Sequence, residues 1–389
     1  MKIYARSNFV LEESLTYLNG HSLGPLPRAA RAAVTRTVTH EWGQELIRAW
    51  NTCGWMDQPG RLGDKIAPLI GALPGTVMVG DTLTLKLMQA LQAALALSRR
   101  GKRVLSDRGN FPSDLYAASA LVQEVVLVEP EAVLSRLDRD IDVLMITQVD
   151  YRSARRHDMA RLTAAAHDLG IVCVWDLAHS AGTLAVELDR CGAEFAVGCS
   201  YKYLNGGPGA PAFIYARPDL IDQVSPTLRG WMGHAKPFDF APDYRPGQGR
   251  ERWRIGTPPV LQMAALEGAL ELWQELDMTV VEQAGSDLGQ RLVEEMAVHC
   301  PQLICQSPRD SAQRGGHVAF SHPHAYALMQ VLIAQGIIGD FRAPDLIRFG
   351  ISPLYNSPED ITHLVAALGQ ALDSDSYLHP ELQKRQQVT

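Results

Sequence analysis

The chain has 389 residues with an ordinary globular composition, 46% hydrophobic and 20% charged, and a formal net charge of −7. Its length allows two domains, or one large domain with a smaller partner. The negative balance, without any basic tract, argues against nucleic acid as a partner. No apolar run reaches the ~18 residues of a membrane span, and the N-terminus lacks the apolar core of a signal peptide. A cytoplasmic location, with no membrane partner, is therefore expected. The six cysteines (Cys53, Cys173, Cys191, Cys199, Cys300, Cys305) are scattered without a CxxC pair. They read as small buried hydrophobes rather than disulfide partners, and no metal site is expected.

Residues 1–30 read as extended, ending in the turn-rich stretch Tyr17–Pro27, whose glycines and prolines exclude a helix interior. A helix is expected over 28–50, a loop over 51–60 that carries Trp55, and a short helix over 61–71. Strong apolar patterning predicts a helix over 84–99, with Leu87, Leu91 and Leu95 on its buried face. A strand over 103–106 follows, then a helix over 113–123 with Ser113 as its N-cap. Strands are expected at 125–128 and 143–147. A helix over 158–169 closes at Gly170, a residue suited to the left-handed position after a helix. Two further strands, Ile171–Trp175 and Phe195–Cys199, deliver Asp176 and the Ser200-Tyr201-Lys202 run at their ends. A strand at 212–215 follows them.

Strands separated by helices of ten to fifteen residues predict an α/β fold, a mostly parallel sheet flanked by helices. Residues 217–260 are irregular. Helices over 259–275 and 279–298, then short strands at 316–321 and 346–351 among further helices, suggest a smaller C-terminal α+β domain. The expected division is an N-terminal segment, 1–45, packing on the small domain, a large domain, 46–258, and a small domain, 259–389.

Ligands of such sheets sit at the carboxyl ends of the strands. A lysine placed there for partial burial can act as an amine nucleophile. Taken singly, Lys202 reads as a solvated lysine and Asp176 as a strand-end acid. Together they suit pyridoxal phosphate, which needs a lysine for a Schiff base and a carboxylate for its pyridine nitrogen. A phosphate cradle is available where Asp81-Thr82-Leu83-Thr84 opens a helix. Phe111, before Pro112-Ser113-Asp114, offers a ring to stack on the cofactor.

Seven motifs then run in order through nearly the whole chain: YLNGHSLGPLP (17–27), FPSD (111–114), DLAHSAG (176–182), CSYKYLNGGPG (199–209), GWMG (230–233), WRIGTPP (253–259) and RFGISPLYN (348–356). With them the chain resembles the kynureninases, members of the aminotransferase class V group of fold-type-I pyridoxal-phosphate enzymes. The resemblance implies that Lys202 forms the Schiff base, Asp176 pairs with the pyridine nitrogen and His179 lies near the ring hydroxyl. It places Leu83, Thr84 and Tyr201 around the phosphate, Phe111 on the ring face, and Pro112, Ser113, Asp114 and Thr147 in the near shell. It implies a homodimer, with Trp231 and Thr257 reaching the phosphate of the neighbouring subunit. Arg348 becomes the clamp for the carboxylate of an amino-acid substrate, with Trp55 and His21 at its aryl end. The implied reaction is hydrolysis of L-kynurenine or its 3-hydroxy derivative, with Tyr201 relaying protons. Two positions depart from the pattern: His21 and Lys86 stand where the family commonly carries Asn. The rivals are another class V enzyme, such as a cysteine desulfurase, and a non-catalytic binding protein. A desulfurase needs a late nucleophilic cysteine, and no cysteine follows Cys305.

Overall fold

The principal sheet has seven strands, β1 (Val77–Val79), β2 (Arg103–Asp107), β3 (Glu124–Val128), β4 (Val143–Thr147), β5 (Val172–Asp176), β6 (Phe195–Gly198) and β7 (Phe213–Ala216). They lie in the order β1-β7-β6-β5-β4-β2-β3 in the computed structural model, which describes residues 3–98 and 102–384. β7 runs antiparallel to both its neighbours, and the other pairs are parallel. β4 is buried at all five positions, as a strand covered on both faces must be. Its alternating side chains feed two cores. Leu144 and Ile146 join Leu62, Trp175 and Tyr215 on one face, while Val143 and Met145 join Leu87, Val174 and Ile214 on the other.

A second sheet holds β8 (Ile304–Cys305), β9 (His317–Ser321), β10 (Asp340–Arg342) and β11 (Leu346–Gly350), antiparallel in the order β10-β11-β9-β8. Its own core draws on Leu292, Leu328, Phe349 and Leu368. The architecture is the expected one, a mostly parallel sheet flanked by helices and a smaller C-terminal sheet domain. The N-terminal segment touches both cores, through Phe9 in the larger and Leu18 in the smaller. Thr16–Tyr17 also pairs with Ile337–Ile338 beside the small sheet.

The helices, in chain order, are α1 (Arg28–Arg36), α2 (Gln58–Ile66), α3 (Leu83–Ser98), α4 (Pro112–Leu121), α5 (Met159–Asp168), α6 (Val260–Leu270), α7 (Met278–His299), α8 (Ala325–Ala334) and α9 (Pro358–Asp373), with shorter turns between. Arg99, the expected end of α3, lies outside the described residues. The single helix predicted over 28–50 is interrupted. After α1 the chain widens into π-type turns at Thr37–Glu45, and Leu46 takes a left-handed φ of 54°. An L-residue pays for that conformation, so periodicity alone could not foresee it. Ser113 does not cap α4: Phe111 is the N-cap residue and Pro112 takes the first helical position. Asp158 does cap α5, accepting the Arg161 N–H at 3.0 Å, and Gly170 has φ 70° beyond its end. α6 packs on α1 and sends Met263, Leu266 and Leu270 into the core of the larger sheet. The described cysteines are all free, and no helix among the described residues is long and apolar enough to cross a membrane.

Candidate active site

Parallel strands deliver polar groups at their carboxyl ends. β4 ends on Thr147 and β5 on Asp176, paired in register, with Val197 of β6 alongside. The chain then turns through Cys199 and Ser200 to Lys202, whose Nζ lies 3.0 Å from His179 Nε2 and 5.6 Å from the centre of the Tyr201 ring. The turn-rich N-terminal motif supports this loop from behind. Gly24 N–H donates to the Tyr201 carbonyl at 2.8 Å, and a Cβ on Gly24 would lie 2.3 Å from the Lys202 carbonyl oxygen. That approach admits only glycine.

Two carboxyls meet at the end of β5. Asp114, in the first turn of α4, is hydrogen-bonded to Asp176. Burial, then the Asp176 charge, pushes Asp114 well above the carboxylate range. Burial raises Asp176 as well, but Lys202, the Ala178 N–H (2.7 Å to Oδ1) and Asp114 oppose it. Asp114 therefore carries the proton and Asp176 the charge. Burial, followed by Lys202, pulls His179 well below the usual imidazole range, so the ring is neutral, and its Nε2 shares a hydrogen bond with the Lys202 amine. Cys199, then burial, raises the Tyr201 phenol, which stays protonated.

Arg348 sits in the middle of β11, 1% exposed. Its neighbour across the ladder is Asp340 of β10. Arg348 Nε donates to Asp340 Oδ1 at 2.8 Å, Nη2 donates to Oδ2, and Nη1 donates to the Tyr151 carbonyl of the larger lobe. Asp340 also accepts from Ser22 Oγ at 2.7 Å and from His21 Nε2 at 3.3 Å, and pairs with Arg342 at 3.2 Å. Against burial, His21 and Arg348 hold its carboxyl far below the usual range. Burial takes His21 down to about 4, against the pull of Asp340. The His21 ring stacks on His317 at 5.1 Å, and His317 lies 5.5 Å from His179. The structure thus joins His21 and Arg348 to Lys202 through a buried layer of neutral imidazoles.

The remaining expected residues lie around this centre or apart from it. Leu83 and the exposed Thr84 form the first turn of α3, where backbone N–H groups lack helical partners. Phe111 is 42% exposed and meets the Tyr151 ring edge-on at 5.2 Å. Trp55 N–H is taken by Glu41 at 2.8 Å. Trp231 is 40% exposed and contacts Phe238 and Phe240, and Thr257 is exposed. His167, Cys173 and Glu194 bring ligand-type atoms within 4.8 Å of one another at the opposite end of β5. There Arg217 holds Glu194 at 3.0 Å and burial raises the Cys173 thiol, so the group is an ion-pair network.

The centre offers a fixed carboxylate beside a protonated one, a nearly buried amine, a helix N-terminus and an exposed aromatic face. His179 Nδ1 and Asp114 Oδ2 are buried and unpartnered. That donor set fits pyridoxal phosphate, whose ring nitrogen, hydroxyl, aldehyde and phosphate each need one of these groups.

Two kynureninases align with nearly all of the chain. That of Deinococcus radiodurans is 44% identical over 383 residues, covering 95% of this chain and 93% of the relative. That of Pseudomonas fluorescens is 40% identical over 397 residues, covering 99% and 95%. The chain belongs to the kynureninase family. The family's C-terminal domain pattern matches residues 281–368. Among solved structures, the lyase C-DES, seen with glycine covalently linked to its PLP cofactor, superposes with a TM-score of 0.82 over 94% of this chain and 98% of its own, at 20% identity. A cysteine desulfurase of Thermococcus onnurineus gives 0.81 over 95% and 98%, at 18% identity. At those identities they share the fold alone. Cys300 is buried against the Val365 carbonyl and Cys305 donates to the Ser307 carbonyl, so neither is presented as a desulfurase nucleophile.

The sequence alone does not single out Asp340, Tyr151 and His317. A signal for Asp340 was present. A lone arginine within the apolar strand Leu346–Gly350 needs a counter-charge, and Gly339-Asp340-Phe341-Arg342 lies one turn upstream. Tyr151 contributes only a backbone carbonyl, which carries no sequence signal.

Proposed function

We infer that the chain is a pyridoxal-phosphate-dependent hydrolase that cleaves the Cβ–Cγ bond of L-kynurenine, or of its 3-hydroxy derivative. The products are anthranilate, or 3-hydroxyanthranilate, and L-alanine, which places the reaction in tryptophan catabolism or NAD precursor synthesis. The observation that carries this reading is Lys202 set between Asp176 and His179, with Arg348 acting on the same imidazole, in a chain of this family. When bound, pyridoxal phosphate supplies an electron sink for carbanionic charge on the substrate. Leu83, Thr84 and the first N–H groups of α3 would hold its phosphate, Asp176 its pyridine nitrogen, His179 its hydroxyl, and Phe111 its face.

Arg348 binds the substrate α-carboxylate through its fork, in place of the Tyr151 carbonyl, while Asp340 keeps the guanidinium in plane. Lys202 Nζ takes the proton from Cα. Water adds to the side-chain ketone, the Cβ–Cγ bond breaks, and the electron pair stays on Cβ. The protonated Tyr201 phenol delivers a proton to Cβ and recovers one from the hydrated ketone as its new C=O forms, and Lys202 Nζ returns its proton to Cα.

The chain acts as a homodimer in the cytoplasm, with Trp231 and Thr257 completing the neighbour's phosphate site. The exposed aromatic group Trp231, Phe238 and Phe240, and the exposed Trp42, Leu46 and Ile47, support an interface. The test is Lys202→Ala. Turnover should fall by about 10³-fold or more, the scale of lost nucleophilic and proton-transfer catalysis. Near-normal turnover would remove Lys202 from its role.

A further inference from the structure

Lys86 is the second departure from the family pattern, and its surroundings are unusual. It lies one turn into α3, and its side chain is fully buried. A buried ammonium is tolerated only when its three N–H groups all find partners. Here they do: Nζ meets Asp81 Oδ2 at 3.0 Å, the Trp253 carbonyl at 2.7 Å and Gln89 Oε1 at 3.1 Å.

The partners matter because of where they sit. Asp81 stands in the turn that leads into α3, in a left-handed conformation (φ 55°) that aspartate accepts more readily than most L-residues. Its backbone is pinned from the far side, with Ala212 N–H donating to the Asp81 carbonyl at 3.0 Å and Gly80 N–H to the Ala212 carbonyl at 2.8 Å. The ion pair holds the side chain and the ladder bonds hold the backbone. The direction in which the α3 N–H groups point is therefore fixed. Trp253, fully buried against Phe195, opens the segment that runs on to Thr257. One ammonium thus ties the turn before α3 to the root of that segment.

We propose that Lys86 is a positioning residue for the cofactor's phosphate, locking the Asp81 turn so that the N-terminus of α3 is preorganised to receive it. This rests on the cofactor reading above. An asparagine at this position is shorter and neutral, and could not pair with Asp81 and reach the Trp253 carbonyl in the same way.

The test separates phosphate from ring. Apo-protein, Lys86→Met and Asp81→Asn are each titrated with pyridoxal phosphate and with pyridoxal, which has the same ring and aldehyde but no phosphate, following the visible absorbance of the bound aldehyde. The wild-type chain should prefer the phosphorylated form. Both variants should lose about tenfold of that preference, ~1.4 kcal/mol, while pyridoxal affinity stays nearly constant. An unchanged preference in both variants would overturn the proposal, as would equal weakening of both ligands, which marks a purely structural role. If Lys86→Met shows no cooperative thermal transition, Asp81→Asn decides alone. A wild-type chain that binds neither aldehyde would overturn the cofactor reading itself, and this proposal with it.

Discussion

Asp114 and Asp176 cannot both be ionised at the end of β5, and the division of labour between them gives a sharp contrast. Asp114 already holds its proton, so an amide replaces a neutral group with another. Asp114→Asn should keep kcat within about tenfold of wild type, the weight of one perturbed hydrogen bond. Asp176→Asn removes the charge proposed to face the pyridine nitrogen and should lower kcat by about 10²-fold or more. Steady-state rates on L-kynurenine check both, and equal effects would reverse the assignment. At this scale the sequence was partly legible. Asp176 and Lys202 were readable because strand ends are readable. Of their partners, Asp114 is legible only as a neighbour of Phe111 and His179 only through the family resemblance, because hydrogen bonds between distant segments leave no local pattern. Arg348 was named as a carboxylate clamp, yet its grip on Asp340 depends on the register of β10 against β11, two strands too short to announce their pairing.

Secondary structure was legible where a period repeats over several turns, as in α3, α5 and α7, and where apolar runs are bounded by turns, as in β4, β5 and β6. It failed where one residue breaks the period. The φ of Leu46 splits the helix predicted over 28–50, and β1, β8 and β10 are too short to show alternation. The expected small domain begins where the chain leaves the irregular stretch, yet α6 folds back onto α1, because its apolar face matches the larger core. Capping chemistry can be tested directly on α9. Ser357 Oγ accepts the Asp360 N–H, and the Asp360 carboxylate accepts the Ser357 N–H at 2.8 Å, a reciprocal capping box. Ser357→Ala should cost about 1 kcal/mol of stability, read as a lower midpoint in urea. Loss of activity at unchanged stability would contradict a purely structural role for this cap.

The alternation of helices and strands was enough to predict the whole molecule's class, but not the antiparallel β7 or the strand order, which depend on long-range pairing. The two lobes meet through polar contacts: Arg348 reaches Tyr151, and His21 stacks on His317 with the tilted His179 ring beside both. That buried layer makes global stability depend on pH. His21 titrates at about 4 when folded against 6.5 when exposed, and His179 and His317 shift the same way. Between those values the unfolded chain binds protons that the native one refuses, so stability is full above pH 6.5 and falls as the pH drops toward 4. His21 alone accounts for about 3 kcal/mol at 1.36 kcal/mol per unit. Urea midpoints at pH 7 and pH 5 should show the loss, and His317→Phe should reduce it.

The bond that is cleaved can be read directly from the products. Protein reconstituted with pyridoxal phosphate, mixed with L-kynurenine or its 3-hydroxy derivative, should release the matching anthranilate, followed by fluorescence, together with an equal amount of L-alanine. L-cysteine under the same conditions should yield no alanine. Alanine and sulfane sulfur from cysteine, with no anthranilate from either ketone, would rule out Cβ–Cγ cleavage and make the chain a desulfurase.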